Sequence, residues 1–133
     1  MSRENVELIR NIYGAFARGD VPAVLDAFDA KIEWREADNF LYADHNPYIG
    51  AQAILDGVFT RLGGDWDGFA AQPETLLDAR DHVVVLGTYS GKHKRTGKQV
   101  HAQFAHVWTI AKGKVQKFQQ YTDTKQFADA VKP

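Results

Sequence analysis

Apolar side chains recur at three- and four-residue intervals in three stretches of the first half of the chain. The first stretch begins after Ser2, which can cap a helix, and ends at Gly19. A second, shorter stretch follows Asp20, another capping residue. The third runs through residues 51–62 and is expected to stop at Gly63-Gly64, because glycine commonly ends helices. This pattern predicts three helices.

The rest of the chain alternates in the way of β-strands. Residues 31–36 predict a short strand between the second and third helices, and residues 37–50 a polar loop. Four longer strands are predicted over 69–79, 82–92, 99–111 and 114–123. Short turn sequences separate them, which favours consecutive hairpins, and a short helix around Phe127 is expected to close the chain. Helices first and a long meander afterwards indicate an α+β domain with helices on one face of a mostly antiparallel sheet.

Composition limits the functions that this domain can have. A length of 133 residues with 44% apolar side chains suits one core, so residues 1–133 are expected to form a single domain. Lys and Arg number 16 against 17 Asp and Glu, and this balance gives no field that would draw nucleic acid or a membrane surface. Absence of cysteine excludes disulfides and thiolate catalysis. No export signal or membrane-spanning run is visible, so the expected location is the cytoplasm.

Five histidines raise the question of a metal site. His101 and His106 are five apart in one predicted strand and should project to opposite faces of the sheet. No His-Glu-x-x-His pattern occurs. We therefore expect no metal and no cofactor.

The order of elements comes with a set of short motifs: Gly19-Asp20, Ile32-Glu33-Trp34, Tyr48-Ile49-Gly50, Gly87-Thr88-Tyr89-Ser90-Gly91, Phe104-Ala105-His106-Val107-Trp108 and Gln119-Gln120-Tyr121-Thr122-Asp123-Thr124. With them the chain resembles the nuclear-transport-factor-2-like superfamily, in its SnoaL-like, ketosteroid-isomerase-related branch. The resemblance implies a cone, with three N-terminal helices packed on a strongly curved sheet that encloses a pocket. Members of that superfamily include isomerases, cyclases, dehydratases and non-enzymatic modules, so the fold alone does not give the activity.

The resemblance also suggests positions for the chemistry. His106 falls where ketosteroid isomerases keep a protonated acid that donates to a developing enolate oxygen. The general base of those enzymes would fall at Trp34 and their helix-one tyrosine near Ile12. The cavity acids and arginine of limonene-epoxide-hydrolase-like enzymes would fall at Gly87, Tyr89 and Gln120. Neither established mechanism is therefore implied for this chain.

The residues expected at the pocket fall into two groups. As catalytic residues we predict Glu36, a general base desolvated beside Trp34, and His106, a hydrogen-bond donor to an oxyanion. The other predicted pocket residues are Tyr13, Phe16, Trp34, Tyr48, Phe59, Tyr89, Phe104, Trp108, Phe118 and Gln120. Two alternatives stay open: His106 as a core histidine bonded to a neighbour, and Glu36 as an exposed acid at a strand end.

A pocket of one carboxylate, one imidazole, a phenol and an amide among aromatic walls can bind an apolar ring compound and move a proton on it. The leading hypothesis is therefore a cofactor-independent isomerase, cyclase or dehydratase. The alternatives are a non-catalytic module that binds a small ligand and an assembly module that works through its sheet. Apolar residues such as Ala105 and Val107 on the outer sheet face predict a homodimer through that face.

Overall fold

A computed structural model describes residues 2–133 of the chain. Its helices are α1 (Ser2–Ala17), α2 (Val21–Asp26), α3 (Ala51–Ile54), α4 (Thr60–Asp65) and α5 (Thr124–Ala130). Its strands are β1 (Phe28–Arg35), β2 (Tyr48–Ile49), β3 (Trp66–Ala79), β4 (His82–His93), β5 (Gln99–Ala111) and β6 (Lys114–Thr122). The predicted α+β class and the four long strands are confirmed.

The six strands form one open, curved sheet in the order β2-β1-β6-β5-β4-β3. Strands β3 to β6 are joined in sequence by hairpins and pair antiparallel, as predicted. β1 pairs parallel with β6, and the two-residue strand β2 adds an antiparallel edge. The helices cover one face of this sheet, which gives the expected cone.

Side-chain caps begin the two short helices α2 and α5, the first of them at the predicted residue Asp20. The Asp20 carboxylate accepts a hydrogen bond from the backbone N–H of Ala23 at 3.2 Å, at the start of α2. The Asp123 carboxylate accepts one from the backbone N–H of Gln126 at 3.4 Å, at the start of α5. Both caps satisfy N–H groups that have no partner within their helix.

The third predicted helix differs from the expectation in two ways. It contains a π-helical segment, Leu55–Phe59, between α3 and α4. The expected stop at Gly63-Gly64 is wrong, because α4 continues to Asp65. Glycine costs about 1 kcal/mol in a helix interior, but Leu62 before the pair and Trp66 after it are both buried. Their packing keeps the chain helical through the glycines.

Alternation along β5 separates the two faces of the sheet. From Val100 to Ile110 every second side chain is buried, and the residues between them are partly or fully exposed. His101 is exposed and His106 buried, as their spacing predicted.

None of the helices between Ser2 and Ala130 combines the length and apolar character needed to cross a bilayer.

Candidate ligand cavity

The concave face of the sheet and the helices above it enclose an apolar cavity. The centre of a water-sized sphere can move through about 60 Å³ of it, several times the space that one water needs. Of the twelve predicted site residues, all except Tyr48 and Phe104 line this cavity. The cavity suits a small ligand, and a larger ring would require wall side chains to move.

Glu36 follows directly after β1 and is only 3% exposed. The indole N–H of Trp34 donates to its Oε2 at 3.1 Å. The Glu36 backbone is held by Asn46, whose side chain accepts from the N–H and donates to the carbonyl. Burial raises the pKa of the Glu36 carboxyl to about 8, against the smaller lowering effects of Trp34 and Arg61. The alternative of an exposed strand-end acid is therefore excluded.

One oxygen of this carboxyl group remains available. Oε1 has no hydrogen-bond partner among residues 2–133, and no buried side-chain oxygen or nitrogen of that part of the chain is both sealed and unpartnered. Since Glu36 lines the cavity, Oε1 is open to it. The structure thus presents a weakly acidic carboxyl group to any cavity ligand.

His106 lies at the centre of β5, opposite Gln120 of β6 and Val85 of β4. The Tyr13 hydroxyl lies 2.5 Å from its Nδ1, and the Tyr89 hydroxyl 2.5 Å from its Nε2. Burial lowers the pKa of the imidazole to about 3, so the ring is neutral at physiological pH. Both ring nitrogens are occupied by protein groups, which conflicts with the expected direct donation from His106 to a ligand.

Each tyrosine has a further partner that fixes its position. The indole N–H of Trp108 donates to the Tyr13 oxygen at 3.0 Å. The Gln120 amide donates to the Tyr89 oxygen at 2.9 Å and accepts from the backbone N–H of Ala37 at 3.0 Å. Burial raises the pKa of both phenols above the usual range, and the Glu36 charge adds to this for Tyr89. Both phenols therefore keep their protons at neutral pH.

Hydrogen bonds and sheet register bring Glu36 and His106 to one end of the cavity. Ala37, the residue after Glu36, is linked through Gln120 and Tyr89 to the His106 ring. β6 lies between β1 and β5, so the backbones of the two residues are about 10 Å apart, two strand spacings. Side chains that project into one cavity from this separation can approach the same small ligand.

Stacked and edge-on aromatic rings form the walls. The rings of Trp34 and Phe118 stack with centroids 3.7 Å apart, and Trp108 meets each of them edge-on. The Phe59 ring meets Trp34 edge-on with centroids 5.6 Å apart, and its centroid lies 5.5 Å from that of the tilted Phe16 ring. These closely packed rings explain why the cavity is narrow.

The two remaining predicted pocket residues lie elsewhere. The Tyr48 ring packs on Gly57 of the π segment, and its hydroxyl donates to the Tyr42 carbonyl at 2.6 Å. It borders a shallow surface groove instead of the cavity. Phe104 is buried, and its ring stacks on His106 with centroids 4.0 Å apart. Neither residue is among those that line the cavity, since their rings pack on Gly57 and on His106 instead.

Seven lining residues were not predicted: Ile12, Val24, Phe40, Val58, Leu62, Phe69 and Ala71. Ile12, Val24, Val58 and Leu62 belong to helical stripes whose period indicates burial but does not distinguish cavity from core. Phe40 lies in the irregular loop after β1, where no period exists.

No group of three or more His, Cys, Asp or Glu side chains between residues 2 and 133 is arranged to hold a metal ion. The polar groups of the residues that line the cavity are one carboxyl group, two phenols, an imidazole, an amide and two indole N–H groups. These groups can exchange protons and donate or accept hydrogen bonds.

Comparison with known proteins agrees with this architecture. The model of the SnoaL-like domain family matches residues 9–118. No curated protein matches the chain at a significant level. An NTF2-like protein from Burkholderia thailandensis is 38% identical, with a TM-score of 0.92 and coverage of 96% of this chain and 97% of that one.

More distant structures share the fold. TerC, co-crystallised with polyporic acid, is 23% identical with a TM-score of 0.85 and covers 96% of this chain and 98% of its own. A putative SnoaL-like polyketide cyclase from Jannaschia is 16% identical with a TM-score of 0.82, covering 98% and 94%. At these identities the likeness is one of fold.

Proposed function

The chain belongs to the SnoaL-like domain family, and we propose that it is a cofactor-independent enzyme that moves a proton on a small ring compound bearing a carbonyl oxygen. The observation that carries the proposal is the buried Glu36 carboxyl group, open to the same apolar cavity as two hydrogen-bonded tyrosines. A base and a hydrogen-bond donor at one ligand are what enolisation requires.

Glu36 acts as the general base. With a pKa of about 8, about one molecule in ten carries the ionised group at pH 7, and that carboxylate is a stronger base than an exposed one. It removes a proton from the carbon beside the carbonyl group, and the electron pair of the C–H bond passes to the oxygen as an enolate. Positioned proton transfer of this kind contributes about 10²–10⁴-fold.

The tyrosines stabilise the enolate. The phenols of Tyr13 and Tyr89 are held from behind by Trp108 and Gln120, so little reorganisation is needed when charge develops on the ligand oxygen. Where the ligand has a C=C bond next to that carbon, the enolate is a dienolate, and the protonated Glu36 returns its proton at the far carbon, which gives an isomer. If the enolate carbon instead attacks a second carbonyl group, or if the enolate expels hydroxide from the neighbouring carbon, the same groups serve a cyclisation or a dehydration.

Structural relatives support a ring-shaped ligand. Among similar folds are TerC with polyporic acid and putative polyketide cyclases. The aromatic walls of the cavity, with Trp34 stacked on Phe118, also suit a flat ring.

The test is hydrogen exchange of small cyclic ketones in D₂O, followed by NMR. The protein should accelerate deuterium incorporation beside the carbonyl of cyclopentanone or cyclohexanone, and Glu36→Gln should remove about 100-fold or more of that acceleration. Glu33→Gln is the matched control, since Glu33 lies on β1, three residues before Glu36, and pairs with Arg35. The proposal would be contradicted if deuterium incorporation with wild type were no faster than in buffer alone, or if Glu36→Gln incorporated deuterium as fast as wild type.

A binding module without catalysis is the second candidate, because the narrow cavity and the fully bonded His106 ring also suit ligand storage. Native mass spectrometry separates the two. A small molecule retained unchanged by both wild type and Glu36→Gln would favour binding, whereas chemical conversion by wild type alone would favour the enzyme.

A further inference from the structure

One of the two tyrosine hydroxyls beside His106 has a proton with no acceptor among residues 2–133. A neutral imidazole carries one N–H and one lone pair. Because each nitrogen lies against a tyrosine hydroxyl, one tyrosine must donate to the ring and the other must accept from it. The accepting tyrosine keeps its own O–H proton for another partner.

The other neighbours of the two tyrosines cannot take that proton. Trp108 offers Tyr13 only an indole N–H, which is a donor. Gln120 contacts Tyr89 through its NH₂ group, and this orientation is set because its oxygen accepts from the backbone N–H of Ala37. Among residues 2–133 neither hydroxyl has a further acceptor.

The free proton must therefore point to where a ligand binds, since both tyrosines line the cavity. We propose that Tyr13, His106 and Tyr89 supply one phenolic O–H to a carbonyl or enolate oxygen in the cavity, and that the tautomer of His106 selects which tyrosine supplies it. With the proton on Nε2, Tyr13 donates to the ring and Tyr89 offers its O–H to the ligand. With the proton on Nδ1, the roles are exchanged.

This makes His106 a positioning residue that acts through two phenols. A ligand whose oxygen lies nearer Tyr89 stabilises the first tautomer, and one whose oxygen lies nearer Tyr13 stabilises the second. The cavity can thus present a donor at either of two places without leaving a buried polar group unpaired. The inference extends the proposed function to the class of ligand, but it does not require turnover.

The primary test is ¹⁵N NMR of the histidine rings without ligand. In Tyr13→Phe, the only remaining hydroxyl is at Nε2, and a buried N–H at Nδ1 would have no acceptor, so we expect the Nε2–H tautomer. In Tyr89→Phe we expect the Nδ1–H tautomer for the same reason. Tyr121→Phe, an exposed site, should leave the wild-type spectrum unchanged, and His106→Gln assigns the signal. The same tautomer in both variants, or a ring protonated on both nitrogens at neutral pH, would overturn the inference.

Ligand binding gives a second readout. Wild type should bind cyclohexanone about tenfold more tightly than methylenecyclohexane, which has a similar shape but no acceptor oxygen. Each single Tyr→Phe variant should keep that preference, because one phenolic O–H remains free in either. If wild type bound both compounds equally well, the proposal that a phenolic O–H is donated to the ligand would be overturned. If only one of the two Tyr→Phe variants lost the preference for cyclohexanone, the proposed selection by the His106 tautomer would be overturned. Absence of turnover with intact tautomer behaviour would count against the proposed reaction alone.

Discussion

The Tyr13 hydroxyl and Nδ1 of His106 lie 2.5 Å apart, although the two residues are separated by 93 positions in the chain. Tyr13 is on α1 and His106 on β5. A polar bond therefore joins the first helix to the middle of the sheet inside an otherwise apolar core. Inside such a core, loss of the Tyr13 hydroxyl would leave Nδ1 of His106 without a hydrogen-bond partner.

Tyr13→Phe should lower the free energy of unfolding by about 1–3 kcal/mol, because the Trp108 N–H loses its buried acceptor. Urea unfolding followed by fluorescence measures the change. Tyr121→Phe, at a side chain 56% exposed, should change stability by less than about 0.5 kcal/mol. Equal effects of the two substitutions would show that the buried bonds of the Tyr13 hydroxyl to Trp108 and His106 add nothing to stability.

Phe104→Ala should cost about 3–5 kcal/mol. Phe104 is only 4% exposed, and its ring contacts His106 and Tyr89 at centroid distances of 4.0 and 4.5 Å. Leu77→Ala, at an exposed position on β3, is the control and should be nearly neutral. A loss below about 1 kcal/mol for Phe104→Ala would mean that the site collapses around the missing ring.

Gly57→Ala should destabilise the protein by about 1–3 kcal/mol. A Cβ atom at Gly57 would lie 2.1 Å from Cε1 of Tyr48, and the Tyr48 ring is held by its bond to the Tyr42 carbonyl. Gly63→Ala tests glycine replacement in the same helical region, where a Cβ meets nothing within 4 Å. It should stabilise by up to about 1 kcal/mol through helix propensity. The two substitutions should therefore change the free energy of unfolding in opposite directions, and changes in the same direction would contradict the steric argument.

Local signals were enough to predict most of the fold. Alternation and turn residues gave the long strands, since each hairpin brings neighbours in sequence together. The helix stop at Gly63-Gly64 failed because burial of Leu62 and Trp66 depends on distant strands. β2 was missed because two residues carry no period.

The site was predicted less completely, and for a physical reason. Strand parity, taken from the family resemblance, placed Glu36 and His106 on the inner face. The hydrogen-bond partners of His106 come from α1 and β4, so no local pattern could identify Tyr13 and Tyr89 together as these partners. Tyr48 was misplaced because the path of the loop before it is set by packing on Gly57.

The outer sheet face still predicts a homodimer. Leu86 and Tyr121, 41% and 56% exposed, flank Ala105 on adjacent strands, which makes an apolar row on the convex side. Sedimentation should show a dimer at about 0.1 mM. Leu86→Glu should shift it to monomer, whereas Ile49→Glu, at the exposed edge strand β2, should not. A monomeric wild type at that concentration would contradict the prediction.

Stability should fall as the pH rises from about 6.5 to 8, and Glu36 should be the cause. Burial raises the pKa of this carboxyl from 4.5 to about 8, so between these values the folded state holds a proton that the unfolded state has released. Raising the pH therefore favours unfolding, by about 1 kcal/mol for each pH unit in this window.

Glu36→Gln should remove this fall above about pH 6.5, because the amide stays neutral and its oxygen can still accept from the Trp34 indole, the partner that Glu36 has now. Urea unfolding at several pH values measures this, with Glu33→Gln as the control that keeps the slope. The lowered pKa of His106, about 3, affects stability only below about pH 6.5 and with the opposite sign, since there the unfolded state binds the extra proton. The raised pKa values of Tyr13 and Tyr89 matter only above about pH 10. A decline between pH 7 and 8 that persists in Glu36→Gln would therefore show that the buried carboxyl group is not its source.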